Sequence, residues 1–173
     1  MVKRMRRAPA AGFTLVELLI VLILVGILAT LAAPNLRDFV TRNRMKTAAS
    51  DLHFSIAFAR SEAIKRNAAV TIEQNGGDWA AGWSVKSGAD TLSTQDPFAQ
   101  ILITTKNAAY GTKTFSSVSF SGTGREGSSD GVAFVITSAA YPLIPARCVV
   151  LDPSGRPAVR QDKNGNSADG CNS

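Results

Sequence analysis

One stretch near the start of the chain limits its fold more than any other: an apolar run over Phe13–Ala33 that follows a basic leader. As an α-helix this run is about 31 Å long, which matches the roughly 30 Å hydrocarbon core of a bilayer. Glu17 is the one charged side chain within the run. A carboxylate in a membrane helix costs about 2.5–3.5 kcal/mol on insertion scales, so we expect Glu17 to have a function and a cationic partner.

The residue that precedes the run suggests which cation this is. If the chain is cut after Gly12, the new α-amino group lies on Phe13, one helical turn from Glu17. Glu17 would then be able to face the amino terminus of a neighbouring copy. One simpler interpretation is a signal anchor in which Glu17 only favours a helix N-terminus. A cleaved secretory signal is the other, but its small-residue cleavage site should follow the run, whereas the Ala-Pro-Ala of residues 8–10 precedes it.

The stretch Gly12-Phe13-Thr14-Leu15-Val16-Glu17 resembles the cleavage and assembly signal of type IV pilins and of the pseudopilins of type II secretion. In that family a prepilin peptidase cuts after the glycine and N-methylates the new terminal residue, and the acidic residue guides docking into a filament. The resemblance implies these roles for Gly12, Phe13 and Glu17. It also implies that residues 13–33 cross the bacterial inner membrane once, with the head in the periplasm, before the chain joins a pilus on the cell surface.

The net charge of the chain is governed by its leader. The 173 residues carry a formal charge of +6, of which Lys3, Arg4, Arg6 and Arg7 supply four. Without the predicted leader, residues 1–12, the 19 basic side chains fall to 15 against 13 acidic ones. The leader fits the positive-inside tendency of membrane insertion. The remaining near balance gives no overall argument for nucleic-acid binding.

A single long helix is predicted over residues 13–67, with a bend at Pro34. Phe54 and Phe58 lie on one side of its second half, where they either meet a neighbouring subunit or are covered by a loop of the head. Small and apolar residues on the opposite side recur at helical spacing, and we expect this stripe to carry the head's sheet: Met45, Ala48, Ala49, Leu52, Ile56, Ala59 and Ala63.

Residues 68–173 are predicted to form a β-rich periplasmic or extracellular head. Asn75-Gly76-Gly77-Asp78 is a strong signal for a hairpin turn. A helix followed by strands predicts an α+β protein, in which the C-terminal half of the helix packs on an antiparallel sheet. The predicted strands are separated by Gly, Ser, Asn and Asp and cover residues 69–74, 79–86, 100–105, 114–121, 131–138, 147–151 and 156–161.

Three segments of the head narrow the resemblance to the GspH/FimT/FimU-type minor pilins. They are the helical segment Asp51–Arg66, the run Trp79–Val85 with its Gly-Trp pair, and the strand Cys148–Val150 followed by Pro153-Ser154-Gly155-Arg156. The resemblance implies the pilin fold: a long helix with a hydrophobic first half, packed by its second half on an antiparallel sheet. It also implies a protein that works by association with other pilins.

The two cysteines, Cys148 and Cys171, predict one disulfide in an exported head, with two unpaired thiols as the alternative. A zinc site is not expected, because His53 is the only histidine and no third soft ligand is present. Asp162–Ser167 is similar to the start of a calcium loop, but glycine at the sixth position and glutamate at the twelfth are missing. Asx turns are the simpler interpretation. We therefore expect no metal and no cofactor.

Two further patterns give little support for nucleotide binding or catalysis. Gly122–Gly127 matches a dinucleotide fingerprint, but a β-like run follows it where the fingerprint requires a helix, so we predict a hairpin loop. His53 lies on the predicted helix, and no Ser-His-Asp or Cys-His set can be argued around it. We expect no catalytic residues.

A basic pattern near the C-terminus is the candidate contact for DNA. In an extended strand Arg156 and Arg160 point the same way, about 13 Å apart, and Lys163 follows within reach. FimT-like proteins that act in DNA uptake carry a similar Gly-Arg-x-Arg element, but here the second arginine comes two positions late and Pro157 intervenes. The alternative is a solvated edge strand protected by charge and proline. Any DNA binding is expected to be weak and non-specific.

The resulting hypothesis is a minor type IV pilin, not an enzyme, that primes or caps pilus assembly through helix packing and head contacts. Its expected partners are other major and minor pilins, the prepilin peptidase, and the inner membrane before assembly. Two alternatives stay open: a DNA-binding pilin at the pilus tip in natural transformation, and a GspH-like minor pseudopilin of type II secretion.

Overall fold

The computed structural model describes residues 12–111, 113–166 and 170–171, without the side chains of residues 31–35. Most of the predicted leader therefore lies outside the described residues. Those that are described form one long helix and eight strands: α1 (Leu15–Arg66), β1 (Val70–Asn75), β2 (Asp78–Ser87), β3 (Asp90–Gln95), β4 (Leu102–Asn107), β5 (Ser117–Phe120), β6 (Val132–Thr137), β7 (Arg147–Leu151) and β8 (Pro157–Gln161). The predicted α+β class with a long N-terminal helix is confirmed.

The strands pair into two antiparallel sheets within the described part of the chain. The first has the order β3-β2-β1-β5 and the second the order β4-β6-β7-β8. Between β1 and β2 the turn at Gly76 and Gly77 has φ angles of 61° and 82°, which glycine adopts without strain. The hairpin predicted from Asn75-Gly76-Gly77-Asp78 is thus present.

The chain divides into two compact units, Met1–Arg37 and Asp38–Ser173. In the first unit the apolar side chains from Phe13 to Leu28 are all exposed. Within the residues that the structure describes, no helical segment is both long enough and apolar enough to cross a membrane. The span predicted for residues 13–33 stays a prediction, and the predicted bend at Pro34 lies outside the described side chains.

The second unit is built on the helical stripe that the sequence predicts. All seven of its residues, from Met45 to Ala63, are at most 1% exposed. They share one core with residues of both sheets, such as Ile72 in β1 and Phe134 in β6. Trp79 packs edge-on against Phe134 at 4.8 Å between ring centroids. Because four of the seven stripe residues are alanines, the sheets can approach the helix closely.

The C-terminus of α1 shows why the helix stops where it does. Asn67 has a φ of 48°, a left-handed conformation that asparagine tolerates better than most residues. The amide of Ala68 donates to the carbonyl of Ala63 at 3.2 Å, and that of Asn67 donates to Ile64 at 3.2 Å. This pair of bonds is a Schellman motif, which satisfies the last helical carbonyls.

The structure departs from the predicted strands in three places. The strand β3 was not predicted, because Asp90–Gln95 is mostly polar and exposed and lacks an apolar alternation. The predicted strand 114–121 is shorter, since Phe115 donates its amide to Thr105 Oγ1 and accepts from Trp79 Nε1, each at 2.7 Å. There are also two sheets among the described residues where the sequence analysis predicts a single one.

Candidate functional site

The N-terminal candidate site is organised by Thr14 and Glu17. Thr14 precedes Leu15, the first residue of α1, and Glu17 is the third helical residue. Glu17 N donates to Thr14 Oγ1 at 3.2 Å, while Thr14 N and Oγ1 donate to Glu17 Oε2 at 3.5 and 3.4 Å. This reciprocal arrangement is a capping box. Its long distances indicate weak bonds, so Glu17 has a local structural role but is not firmly held by it.

The bond between Gly12 and Phe13 lies in the short non-helical segment before α1. Gly12 is exposed, and Phe13 is 76% exposed. No side chain of the described residues covers the space beside Gly12, where an added Cβ would have no neighbour within 4 Å. A peptidase would therefore find the bond accessible; cleavage there and methylation of Phe13 stay predictions.

A second candidate surface runs along the side of α1 that faces away from the sheets. We call it the outer helix face. Phe54 is 68% exposed and Phe58 is 38% exposed, so no loop of the described residues buries Phe54, and the cover by a head loop is not observed. Spacings of three or four residues bring six residues onto this face, and none of the six is charged: Asn43, Thr47, Ser50, Phe54, Phe58 and Ser61.

The outer helix face adjoins a groove of about 460 Å³. Asn43 and Thr47 belong to both surfaces, and Val40 and Arg44 complete the helical wall. The opposite wall is the segment 97–101, where Phe98 stacks on the buried Trp83 at 5.6 Å. Arg44 Nη1 donates to Gln100 Oε1 at 2.7 Å, which ties the helix to this segment. The two surfaces together carry aromatic, aliphatic and neutral polar groups and one charged side chain, Arg44.

The C-terminal end of the head is closed by the disulfide between Cys148 and Cys171, whose Cα atoms are 6.0 Å apart. The predicted pairing is therefore present in the structure. Cys171 covers a small apolar cluster on the face of β6 and β7 that points away from the main core. Tyr110 packs on the same cluster, and Gly170 lies so close to its ring that a Cβ would come within 2.2 Å of Cδ1.

The three candidate DNA contacts do not all lie on one strand. Arg156 precedes β8 and sits in a turn, where its amide donates to Asp152 Oδ1 at 3.1 Å. Hydrogen bonds from the Ser154 hydroxyl and from the Arg156 amide lower the pKa of Asp152, so this carboxylate stays charged beside Arg156. Arg160 pairs with Cys148 across β7 and β8. Lys163 is exposed beyond the strand.

Arg160 lies near Tyr110 on the disulfide face of the head. Burial raises the pKa of the Tyr110 phenol, and the positive charge of Arg160 partly opposes this rise. Within the described residues, Tyr110 Oη has no hydrogen bond of regular geometry. The positive charge of Arg160 therefore interacts with the Tyr110 phenol, although Arg160 is exposed on an edge strand.

The loops that resemble ligand motifs have structural explanations. Asp162 Oδ1 accepts from the amides of Asn164 and Gly165 at 3.0 and 3.2 Å, which is the predicted Asx turn. Among the described residues, no three His, Cys, Asp or Glu side chains come together as a metal site would require. The loop at Gly124 accepts from Arg60 Nε at 2.9 Å and leads into β6, so no helix N-terminus follows the fingerprint-like sequence.

One cluster was not anticipated from the sequence. Arg42 on α1 and Arg147 on β7 line the same small cleft. They are more than a hundred residues apart in the chain, and neither belongs to a motif. Only the packing of the helix on the second sheet brings them together, so no local sequence signal would have identified the pair.

Two family models match the chain. Residues 48–155 match the model of the type II transport protein GspH, which is more than half of the 173 residues. Residues 7–33 match the prokaryotic N-terminal methylation motif. The second match includes Gly12, Phe13 and Glu17, and the first covers most of the head.

Two fimbrial proteins share sequence with the chain. The fimbrial protein of Moraxella nonliquefaciens is 34% identical over 101 residues, which are 58% of this chain and 59% of that protein. Fimbrial protein EcpC of Eikenella corrodens is 51% identical over 37 residues, 21% of this chain and 24% of that protein. The chain thus spans less than two thirds of either relative.

Solved structures with a similar fold include the type IV minor pilin FimU of Pseudomonas aeruginosa (strain PAO1). FimU has a TM-score of 0.58 at 22% identity, with 78% of this chain and 99% of FimU covered. The minor pseudopilin EpsH from the type 2 secretion system of Vibrio cholerae has a TM-score of 0.50 at 9% identity, with 71% and 99% covered. At these identities the likeness concerns the fold alone.

Proposed function

The chain belongs to the GspH family of pilins and pseudopilins, and from this premise we propose that it is a minor type IV pilin that primes or caps pilus assembly. The family and the N-terminal methylation motif imply a membrane-anchored component of a pilus. Members of such families are structural proteins rather than enzymes, and we propose the same for this chain. Its work is association with other major and minor pilins.

In this proposal residues 13–33 cross the inner membrane with the head in the periplasm. What supports this is the length of the apolar run and the exposure of its described side chains on every side of the helix. The prepilin peptidase then removes residues 1–12 and methylates Phe13. The accessible bond after Gly12 and the match to the methylation motif support this step.

Glu17 acts after cleavage, as the partner of a cationic amino terminus on an adjacent pilin. In the capping box the Glu17 carboxylate accepts only two bonds, of 3.5 and 3.4 Å, so it can exchange these weak bonds for an ion pair. In a low dielectric such a pair is much stronger than in water. This pairing would set the axial position of the new subunit against its neighbour.

The outer helix face and the adjoining groove are the proposed contact surfaces of the head. Exposed aromatic side chains on a helix are unfavourable in water, and Phe54 is 68% exposed and Phe58 38% exposed. The apolar helix of a neighbouring pilin supplies a complementary surface, since it presents aliphatic side chains on every side. The head thus selects which neighbours fit.

The observation that carries the pilus assignment, rather than one to a secretion system, is the relationship to the fimbrial protein at 34% identity. The similar fold of EpsH keeps a minor pseudopilin as the alternative. Deletion of the gene, with complementation, should abolish or reduce surface pili and twitching motility and leave type II secretion unchanged. Loss of secretion with normal pili would overturn the assignment in favour of the pseudopilin.

A DNA-binding pilin at the pilus tip is the second candidate, because Arg156, Arg160 and Lys163 are exposed on and beside the edge strand β8. Guanidinium groups donate charge-assisted hydrogen bonds to phosphate oxygens. Two or three such contacts would give micromolar or weaker, salt-sensitive binding, with a log–log slope of about −0.9 per neutralised phosphate. Asp152 and Tyr110 compete for these charges, which favours the weak end of that range.

Fluorescence anisotropy with duplex DNA at low and moderate salt tests this candidate on the full chain in detergent. Arg156→Ala with Arg160→Ala should abolish binding while the disulfide and fold are retained. Lys86→Ala, which removes a positive charge from β2 in the other sheet, is the control. Equal binding by the wild type and the double variant would exclude this surface as the DNA site.

A further inference from the structure

A small polar cleft lies where α1 meets the ends of β7 and β8, apart from the surfaces described above. It has a volume of about 40 Å³, about three times the minimum of roughly 10–15 Å³ that a cavity needs to hold one water molecule. We call it the arginine cleft. It is lined by Arg42, Met45, Ile144, Pro145, Arg147 and Gln161.

The arginine cleft is lined by positively charged residues without an acidic residue to balance them in the part of the chain that the structure describes. Two arginines line it, and no aspartate or glutamate of the described residues does. Neither Arg42 nor Arg147 has an ion pair or a side-chain hydrogen bond within the described part of the chain. Along the chain the nearest acid to Arg42 is Asp38 and the nearest to Arg147 is Asp152, and neither makes an ion pair with that arginine. Asp162, which follows Gln161, accepts from backbone amides through its Oδ1. Two like charges at one cleft repel each other unless an anion lies between them.

The backbone around the cleft is held in place by the fold. Met45 is 1% exposed and Ile144 5% exposed. Arg147 pairs across the sheet with Gln161, and the amide of Asp162 donates to the carbonyl of Ala146 at 2.9 Å. The backbone positions of the two arginines are therefore fixed, so an anion that binds here has to order only their side chains.

We propose that the arginine cleft binds one phosphate group, and that the headgroup of an anionic phospholipid supplies it. The forked donors of arginine match phosphate oxygens, and the side-chain amide of Gln161 can add a neutral donor. The lipid as source rests on the proposed membrane anchoring. Arg42 follows Ala33 by only nine residues, so the chain keeps the cleft within about 30 Å of the predicted span whatever its path. Basic residues beside a span are attracted to anionic headgroups.

The first arm of the test uses inorganic phosphate and does not depend on a membrane. The full chain in zwitterionic micelles is titrated with phosphate at constant ionic strength, and the arginine Nε–Hε signals are followed by NMR. The signals of Arg42 and Arg147 should shift together and saturate. Arg42→Gln or Arg147→Gln should each weaken binding about tenfold, whereas Arg125→Gln should not. Shifts that do not saturate, or an equal loss in Arg125→Gln, would overturn the site.

The second arm identifies the source of the phosphate. Short-chain phosphatidylglycerol should produce the same saturable shifts and displace inorganic phosphate, and short-chain phosphatidylcholine should bind at least tenfold more weakly, because its headgroup has no net charge. Phosphate binding without phosphatidylglycerol binding would overturn the lipid as ligand. Both arms measure binding to the unassembled chain, so their failure is distinct from a failure of the pilus assignment, which the gene deletion reports.

Discussion

At the level of single residues, Glu17 has two roles that a substitution can separate. The capping box needs a side-chain oxygen at this position, while the proposed docking needs a negative charge. Glu17→Ala removes both, and Glu17→Gln keeps the hydrogen-bond acceptor but not the charge. We expect both variants to insert into the membrane as well as the wild type or better, because the costly charge is gone.

Assembly should respond differently from insertion. Breaking a buried ion pair costs about 3 kcal/mol or more, so both Glu17 variants should be depleted from sheared filaments at least tenfold. The measurement is quantitative immunoblotting of membrane and filament fractions. If Glu17→Gln assembled normally and only Glu17→Ala failed, the carboxylate would matter as a helix cap rather than as a docking charge.

At the level of the elements, the disulfide ties β7 to the C-terminal segment. Reducing Cys148–Cys171, or replacing both cysteines by serine, should lower the free energy of unfolding by about 3 kcal/mol in the chain-entropy model. The sequence separation of 23 residues sets this value. Urea denaturation of oxidised and reduced protein measures it. An unchanged midpoint would mean that the cluster under Cys171 does not depend on the bond.

The outer helix face gives a second prediction at this scale. Phe54→Ser with Phe58→Ser should lower the free energy of unfolding of the head by only about 0.5–2 kcal/mol, since Phe54 is 68% exposed and Phe58 is partly covered, at 38%. Filament incorporation should fall, because burying a phenylalanine at an interface contributes about 1.5–3 kcal/mol. Leu143→Ser is the matched control, since Leu143 is 92% exposed and lies outside this face. Equal incorporation of all three proteins would exclude the face as a contact surface.

For the whole molecule, the features that can be predicted from the sequence are those that depend on residues close together in the chain. The helix, its buried alanine-rich stripe, the hairpin at Gly76 and Gly77, and the fold class follow from periodicity and turn chemistry. The division into two sheets does not, because it depends on pairing between distant strands. The polar edge strand β3 is held mainly by its ladder with β2, and the convergence of Arg42 and Arg147 arises only from tertiary packing.

The candidate sites divide in the same way. The residues of the signal around Gly12, Phe13 and Glu17 are contiguous, so the signal can be recognised from the sequence alone. This part of the chain matches the N-terminal methylation motif. For the C-terminal basic residues, the sequence predicts their spacing but not their contacts. Its local partners, Asp152 for Arg156 and Tyr110 for Arg160, come from a turn and from a distant loop, and single-strand geometry does not reveal them.

The central claim is that this chain is a processed pilin that enters a filament. Mass spectrometry of the protein from sheared surface filaments tests it most directly, because it reports cleavage, methylation and assembly together. The account predicts a mature N-terminal peptide that begins at Phe13 and carries one N-methyl group. A filament-associated chain that still began at Met1, or a chain that was absent from filaments and kept residues 1–12, would contradict it.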